Sequence, residues 1–183
     1  MPRVISLALV LCLAACASMP PAQLSLPELR LMPAAMAMDI SLAQQLSFDR
    51  GAQQAVSPVI DAQLEIDADA IRFAGFAAGQ RMLTFTWDGR RLAQQRSPQL
   101  PEHVRAEPIL RDIQLVHAPI DLLRAALPEG WTVDGTSTSR ELSYRGGVAV
   151  AIEYKATVIL DNRIEHYRLT IESTDADASE PTP

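Results

Sequence analysis

Cysteine is scarce in this chain and confined to its start. Both copies, Cys12 and Cys16, fall within the first sixteen of 183 residues. No disulfide and no thiol nucleophile is therefore available to the rest of the chain. Histidine is nearly as rare. His103 sits in a proline-rich loop, His117 at a helix junction and His166 in a strand-like stretch. None has a second ligand at metal-site spacing, and each reads as a satisfied or exposed side chain. No glycine-rich phosphate loop and no nucleophile elbow occurs. Asp67-Ala68-Asp69 lacks the glycine and closing glutamate of a calcium loop and reads as a turn. Glu153 and Glu165 read as carboxylates facing each other across strands on a solvated face. These absences predict no catalytic residues, no metal and no cofactor: the chain is expected not to be an enzyme. Lysine is missing almost entirely, Lys155 being the one lysine among sixteen basic residues. With a net charge of -6, this excludes the basic patch that nucleic acid requires and a lysine-rich surface for anionic lipid.

One long apolar run is present. Val4 to Leu13 follows Arg3 and has the length of a secretion-signal core, short of the ~20 residues that span a bilayer. It ends in Leu13-Ala14-Ala15-Cys16, which resembles the lipobox of bacterial lipoproteins. The resemblance implies a signal peptide over 1–15, cleavage before Cys16, and diacylation and N-acylation of that residue, with palmitate among the acyl groups. Several acyl chains anchor a protein nearly permanently, where one does so marginally. Ala17 and Ser18 stand where an inner-membrane retention signal would carry Asp, so the expected location is the outer membrane, with the domain facing the periplasm. Prolines at 20, 21, 27 and 33 make residues 16–38 read as a tether, with a short helical turn near Met32 to Met38.

From Ile40 onward the pattern is β. Ile40 to Phe48, Asp61 to Asp67, Ala70 to Ala77, Gln80 to Trp87 and Arg90 to Arg96 alternate apolar and polar residues. Asp88-Gly89 and Gly146-Gly147 read as hairpin turns with positive φ. Trp131 to Asp134, Arg140 to Tyr144, Val148 to Tyr154 continuing to Leu160, and Ile164 to Ser173 complete about nine strands, with Asp161-Asn162 turning the chain. Between the fifth and sixth strands lies the longest helix-periodic stretch, Pro108 to Trp131. Ile109, Leu110, Ile113 and Val116 form one stripe, and Ile120, Leu123 and Leu127 a second. Pro119 separates them, which predicts two short helices joined at Ala118-Pro119. Neither is long enough to be stable alone.

The expected fold is mainly β (α+β): an unclosed antiparallel half-barrel over 39–174, one face apolar, with the helical pair in its concavity. A two-sheet sandwich is the alternative. Residues 175–183 form an acidic tail expected to be disordered. If helices and sheet do not close completely, an apolar cavity remains, lined by Leu42, Leu46, Leu64, Ile66, Phe73, Phe85, Trp87, Ile113, Leu122, Leu123, Val150, Ile152, Tyr154 and Leu169. If they do, the chain is a non-catalytic scaffold with a filled core.

An ordered set of segments carries a further resemblance: Gly79-Gln80-Arg81 through Thr86-Trp87-Asp88-Gly89, Arg96-Ser97-Pro98, Leu110 to Leu115, Leu122 to Leu127 with Gly130-Trp131, and His166 to Ser173. Across residues 38 to 174 the chain resembles a family of bacterial outer-membrane lipoproteins encoded near aryl polyene pigment gene clusters. That family is similar to the carriers and receptors of the Lol lipoprotein-localisation system. The resemblance implies a Lol-type half-barrel that binds an acyl or aryl-polyene lipid, or lipoprotein acyl chains, with helix displacement opening the site and a lipid-transfer partner protein. It marks Phe76-Ala77-Ala78-Gly79 as a counterpart of the membrane-delivery loop of Lol receptors. At His117-Ala118 the chain departs from the bulky aromatics expected before the proline.

Overall fold

The computed structural model describes residues 24–51 and 59–176. The stretch read as a signal peptide, Cys16, the first part of the expected tether and the tail beyond 176 lie outside the described residues. Among the described residues no helix is long and apolar enough to cross a membrane.

Ten antiparallel strands form one sheet, in the order β5-β4-β3-β2-β1-β10-β9-β8-β7-β6. They are β1 (Ile40–Asp49), β2 (Val59–Ile66), β3 (Ile71–Ala77), β4 (Gln80–Trp87), β5 (Leu92–Arg96), β6 (Trp131–Gly135), β7 (Ser139–Tyr144), β8 (Gly147–Tyr154), β9 (Val158–Asn162) and β10 (Tyr167–Asp175). The first and last strands meet at the centre, with Leu46 opposite Ile171 and Phe48 opposite Leu169. From there the chain fans out in two meanders. The outer strands β5 and β6 do not pair, so the half-barrel is open, and the helical insert carries the chain between its edges. There is one sheet here, not the two of a sandwich.

Alternation places one apolar row on the inner face. In β2, buried Ala62, Leu64 and Ile66 alternate with exposed Asp61, Gln63 and Glu65. Two bulges help the sheet curl. Gly75 faces Leu83 while Phe76 faces Arg81, leaving Met82 extra. Leu142 faces Val150 while Ser143 faces Val148, leaving Ala149 extra. An extra residue bends its strand and increases the local twist.

Several turns differ from expectation. Two-residue hairpin turns sit at Ala78-Gly79 (φ 50° and 74°) and at Arg145-Gly146 (φ 48° and 83°); Gly147 begins β8 instead of turning. The Asp88 turn is longer than two residues. Asp88 Oδ1 accepts from the Arg90 and Arg91 amides at 2.8 and 2.7 Å, and only Gly89 has positive φ, 86°. Asp161 and Asn162 belong to β9, and the reversal falls at 163–166. There Asn162 Oδ1 accepts the Glu165 amide at 2.9 Å, and His166 is left-handed at φ 55°. His166 and Glu165 are thus turn residues, and Glu165 does not face Glu153, which pairs with Ser139 and Ile159. Asp67 does form a turn, accepting from the Asp69 and Ala70 amides at 2.7 and 2.8 Å.

The insert folds as α2 (Ala106–His117) and α3 (Ile120–Ala126), broken at Ala118-Pro119, where both residues are extended. Arg124 holds α3 to β6, donating to the Val133 carbonyl at 3.1 Å and pairing with Asp134 at 3.2 Å. Helix α2 is buried on nearly every side: Arg111, Asp112 and Gln114 are as enclosed as Leu110, Ile113, Leu115 and Val116. A single stripe would have left the polar three in water.

The segment expected to hang as a tether packs, from Leu26 onward, into the core. Leu26, Leu29 and Leu31 are buried, as is Met36 of the short helix α1 (Pro33–Met36). Leu31 is gripped from two sides. Its carbonyl accepts from Trp87 Nε1 at 2.7 Å, and its amide donates to Gln114 Oε1 at 3.3 Å. Arg30 lies over the Trp87 ring at 5.6 Å. Gly89 leaves room for this docking, since a Cβ there would sit 2.7 Å from Met32 Sδ. One end of the half-barrel is thereby plugged. Leu29 is 3 % exposed, so Leu29→Ala is expected to cost about 2–5 kcal/mol in urea unfolding, as for buried leucines. A free tether would give a change within about 0.5 kcal/mol.

Candidate ligand cavity

At the end away from Trp87, sheet and helix do not close. A cavity of about 540 Å³ lies between α2 and the middle of the sheet, within the ~300–1,000 Å³ range of small-molecule sites. Its floor is Leu46 and Phe48 of β1, Ile60 and Leu64 of β2, Phe73 and Gly75 of β3, Met82 and Leu83 of β4, and Leu169 and Ile171 of β10. Ile109, Ile113 and Val116 of α2 roof it, and Leu100, Pro101 and Val104 from the loop ahead of α2 wall one side. A Cβ on Gly75 would come within 3.1 Å of the Phe73 ring, so glycine there lets that ring lie flat along the wall. Phe73 in turn stacks on Phe85, centroids 5.2 Å apart.

Of the residues expected to line such a space, Leu46, Leu64, Phe73, Ile113 and Leu169 do. The others are placed elsewhere. Ile66, Phe85 and Trp87 are buried with Leu26, Leu29 and Leu31 in the continuous packed core. Val150, Ile152 and Leu123 are buried in that core with Val133, Leu142 and Leu160. Leu42 and Leu122 are partly buried against the core, and Tyr154 points its hydroxyl at the end of α2. Leu123 is therefore packing, not lid. Phe48, Ile60, Ile109 and Ile171 were missed, although the inward parity of their strands and the Ile109–Ile113–Val116 stripe pointed at them; Met82, off that parity, sits at the β3–β4 bulge. The residues added by loop 97–105 had no periodic signal at all.

A polar cluster fixes the roof. Arg111 makes a bidentate pair with Glu165, at 2.6 and 2.8 Å, and donates from Nε to Asp112 Oδ1 at 3.0 Å. The Tyr167 hydroxyl donates to Asp112 Oδ2, and Asn162 Nδ2 donates to Glu165 at 3.3 Å. Burial pushes the Asp112 carboxyl up, opposed by Arg111. Burial also pushes the Tyr167 hydroxyl up, with Asp112 beside it acting in the same sense. At the other end of α2, Arg140 Nη1 donates to the Leu115 carbonyl and Tyr154 donates to that of Val116 at 2.8 Å. A cation suits a helix C-terminus, where unpaired carbonyls gather. Among the described residues, α2 makes no side-chain hydrogen bond or ion pair to β1–β5, and Ile109, Ile113 and Val116 are its apolar residues over the cavity.

An open antiparallel half-barrel that holds a helix in its concavity and leaves an apolar cavity beneath it defines the class. The chain belongs to the DUF3261 family of proteins of unknown function, whose pattern matches residues 41–175. No curated protein matches it.

His117 lines the cavity at the α2 terminus. Burial, with the Arg140 charge adding to it, holds its pKa down to about 4 against the usual 6.5. The folded form therefore binds this proton less readily than the unfolded form. Above pH 6.5 both forms are neutral there and nothing is lost. As pH falls from 6.5 to 4 the unfolded chain protonates first, and stability drops by up to about 3 kcal/mol. His117→Asn is expected to flatten this part of the pH–stability curve relative to wild type in chemical denaturation. Parallel curves for the two proteins between pH 4 and 7 would contradict it.

Proposed function

We propose that this chain is an outer-membrane lipoprotein, held by acylated Cys16 with its domain facing the periplasm. In this reading it carries an acyl or aryl-polyene chain, or the acyl chains of a lipoprotein, in the cavity beneath α2, as a Lol-type carrier or receptor would. The single observation that supports it is an apolar space next to a well-filled core, in a protein whose other end is plugged by its own N-terminal segment. A methylene takes up roughly the ~30 Å³ of a water molecule. The 540 Å³ then suits one chain of about eighteen carbons, not a whole two-chain lipid. Capture is driven by removing apolar surface from water, at roughly 25 cal/mol per Å².

Helix displacement is a poor way in. It would break the Arg111–Glu165 pair and strip Arg140 from the Leu115 carbonyl, and exposing one partner of such a buried set is costly. The exposed lining residues instead mark an opening that needs no such break. The ligand is passed on, in this account, to or from a lipid-transfer partner protein.

The test uses the chain from residue 16 onward with Cys16→Ser, and a fluorescent apolar probe such as N-phenyl-naphthylamine. Ile113→Trp fills the cavity, so it is expected to weaken probe binding at least about tenfold while costing under about 1 kcal/mol. Leu123→Ala is the control: it is expected to lose about 2–5 kcal/mol with probe affinity little changed. A scaffold with a filled core gives the reverse, with no probe uptake and an overpacking cost of about 1–3 kcal/mol for Ile113→Trp.

Anchorage is tested separately in cells. Full-length Cys16→Ser is expected to lose palmitate labelling and to leave the outer-membrane fraction. Retention of both would remove the lipoprotein reading and leave the cavity reading standing.

A further inference from the structure

The mouth of the cavity is chemically distinct from its walls. The lining residues exposed to solvent are Arg50, Pro101, His103, Arg105 and Glu165. Glu165 is the one exposed carboxylate among them, and both its oxygens are taken by Arg111. The other lining carboxylate, Asp112, is buried and hydrogen-bonded to Tyr167 and Arg111. Arg50 and Arg105 have no carboxylate partner among the described residues. Arg50 instead lies over the ring of Tyr167, at 6.0 Å, where Tyr167 forms part of the cavity wall. Nearby Asp49 is turned to its own backbone, accepting the Gly51 amide at 2.7 Å, and neither Glu102 nor Glu107 lines the cavity. In a chain of net charge -6, the opening therefore carries two uncompensated guanidinium groups above apolar walls.

Resting on the carrier reading above, we infer that the cavity selects a single-chain amphiphile with an anionic head, its tail beneath α2 and its carboxylate or phosphate held between Arg50 and Arg105 at the mouth. Guanidinium is suited to this, since its planar fork matches the oxygens of either head. A neutral chain would gain the same apolar burial and leave both arginines solvated. The charges would thus decide which chains enter and would set the orientation, head outward.

The experiment compares cis-parinaric acid with its methyl ester, two probes with the same tail, on the chain from residue 16 carrying Cys16→Ser. The acid is expected to bind about tenfold tighter at low salt, since each exposed pair contributes modestly. Raising the ionic strength should weaken the acid and leave the ester unchanged. In the double variant Arg50→Gln, Arg105→Gln the acid should fall to the affinity of the ester, whose own affinity stays as in wild type. Both positions are exposed, and an unchanged ester affinity itself reports an intact fold. Equal affinities in wild type overturn the inference and leave the carrier reading intact, as does a preference for the acid that survives the double substitution. If neither probe binds, the carrier reading falls and takes this one with it. Palmitate and hexadecyl phosphate as competitors then separate the sources. Arginine-dependent displacement by both assigns the mouth to any anionic head, and displacement by palmitate alone assigns it to carboxylates.

Discussion

Arg111 is the fixed point of the molecule. Its guanidinium is 8 % exposed, between Glu165 of the β9–β10 turn and Asp112 of its own helix. Burial alone would discourage that charge, but the Glu165 hydrogen bonds and the Asp112 charge more than offset it, so its pKa lies above the ordinary value. A buried charge of this kind tolerates little displacement, because losing one partner leaves the other desolvated and unpaired. Helix α2 consequently has one position in the concavity. Gln114 and Arg140 pin it further, toward Leu31 and from β7. All of these anchors reach the N-terminal segment or the β7–β10 half of the sheet. Toward β1–β3 nothing polar draws the helix down, and the space beneath Ile109, Ile113 and Val116 stays open.

The filled and open ends follow from one another. Leu26, Leu29, Leu31 and Met36 supply the apolar volume that completes the Trp87 end, and among the described residues no comparable segment covers Leu46, Phe48 and Leu169. The family match covers residues 41–175, so these plug residues all precede the matched region. The plug also explains why an acidic, aromatic-poor chain can hold an open cavity without collapsing. Most of the inner face packs normally, and the cavity is a local gap in an otherwise continuous core.

Much of the architecture was legible in the residues. Period-two alternation gave the strands on either side of the insert, and Pro119 gave the break between α2 and α3. What escaped was set by tertiary contacts. Four prolines made residues 18–33 read as a tether, because proline reports local stiffness and says nothing of whether the leucines between find a groove. Trp87, Ile66 and Phe85 were then assigned to a cavity that this segment fills. Arg111 and Asp112 look like the solvated side of an amphipathic helix. The one hint otherwise was Leu115, an apolar residue off the main stripe, which marks a helix covered on two sides. The turn at 163–166 was misplaced because Asp161-Asn162 has turn composition, whereas Asn162 is buried at the end of β9 and uses its side chain to close the turn after it. The mouth arginines carry no pattern at all, since Arg50 and Arg105 are 55 residues apart in numbering (105 − 50) and meet the same cavity only through the fold.

The central claim is that the space beneath α2 exists to hold one apolar chain. Native mass spectrometry of the protein purified gently from its own cells, without stripping bound lipid, tests this most directly. The account predicts a population heavier than the polypeptide alone by the mass of a single one-chain lipid, with that added mass absent when the cavity is filled from α2. A spectrum showing no such added mass, identical for wild type and the filled variant, would contradict it.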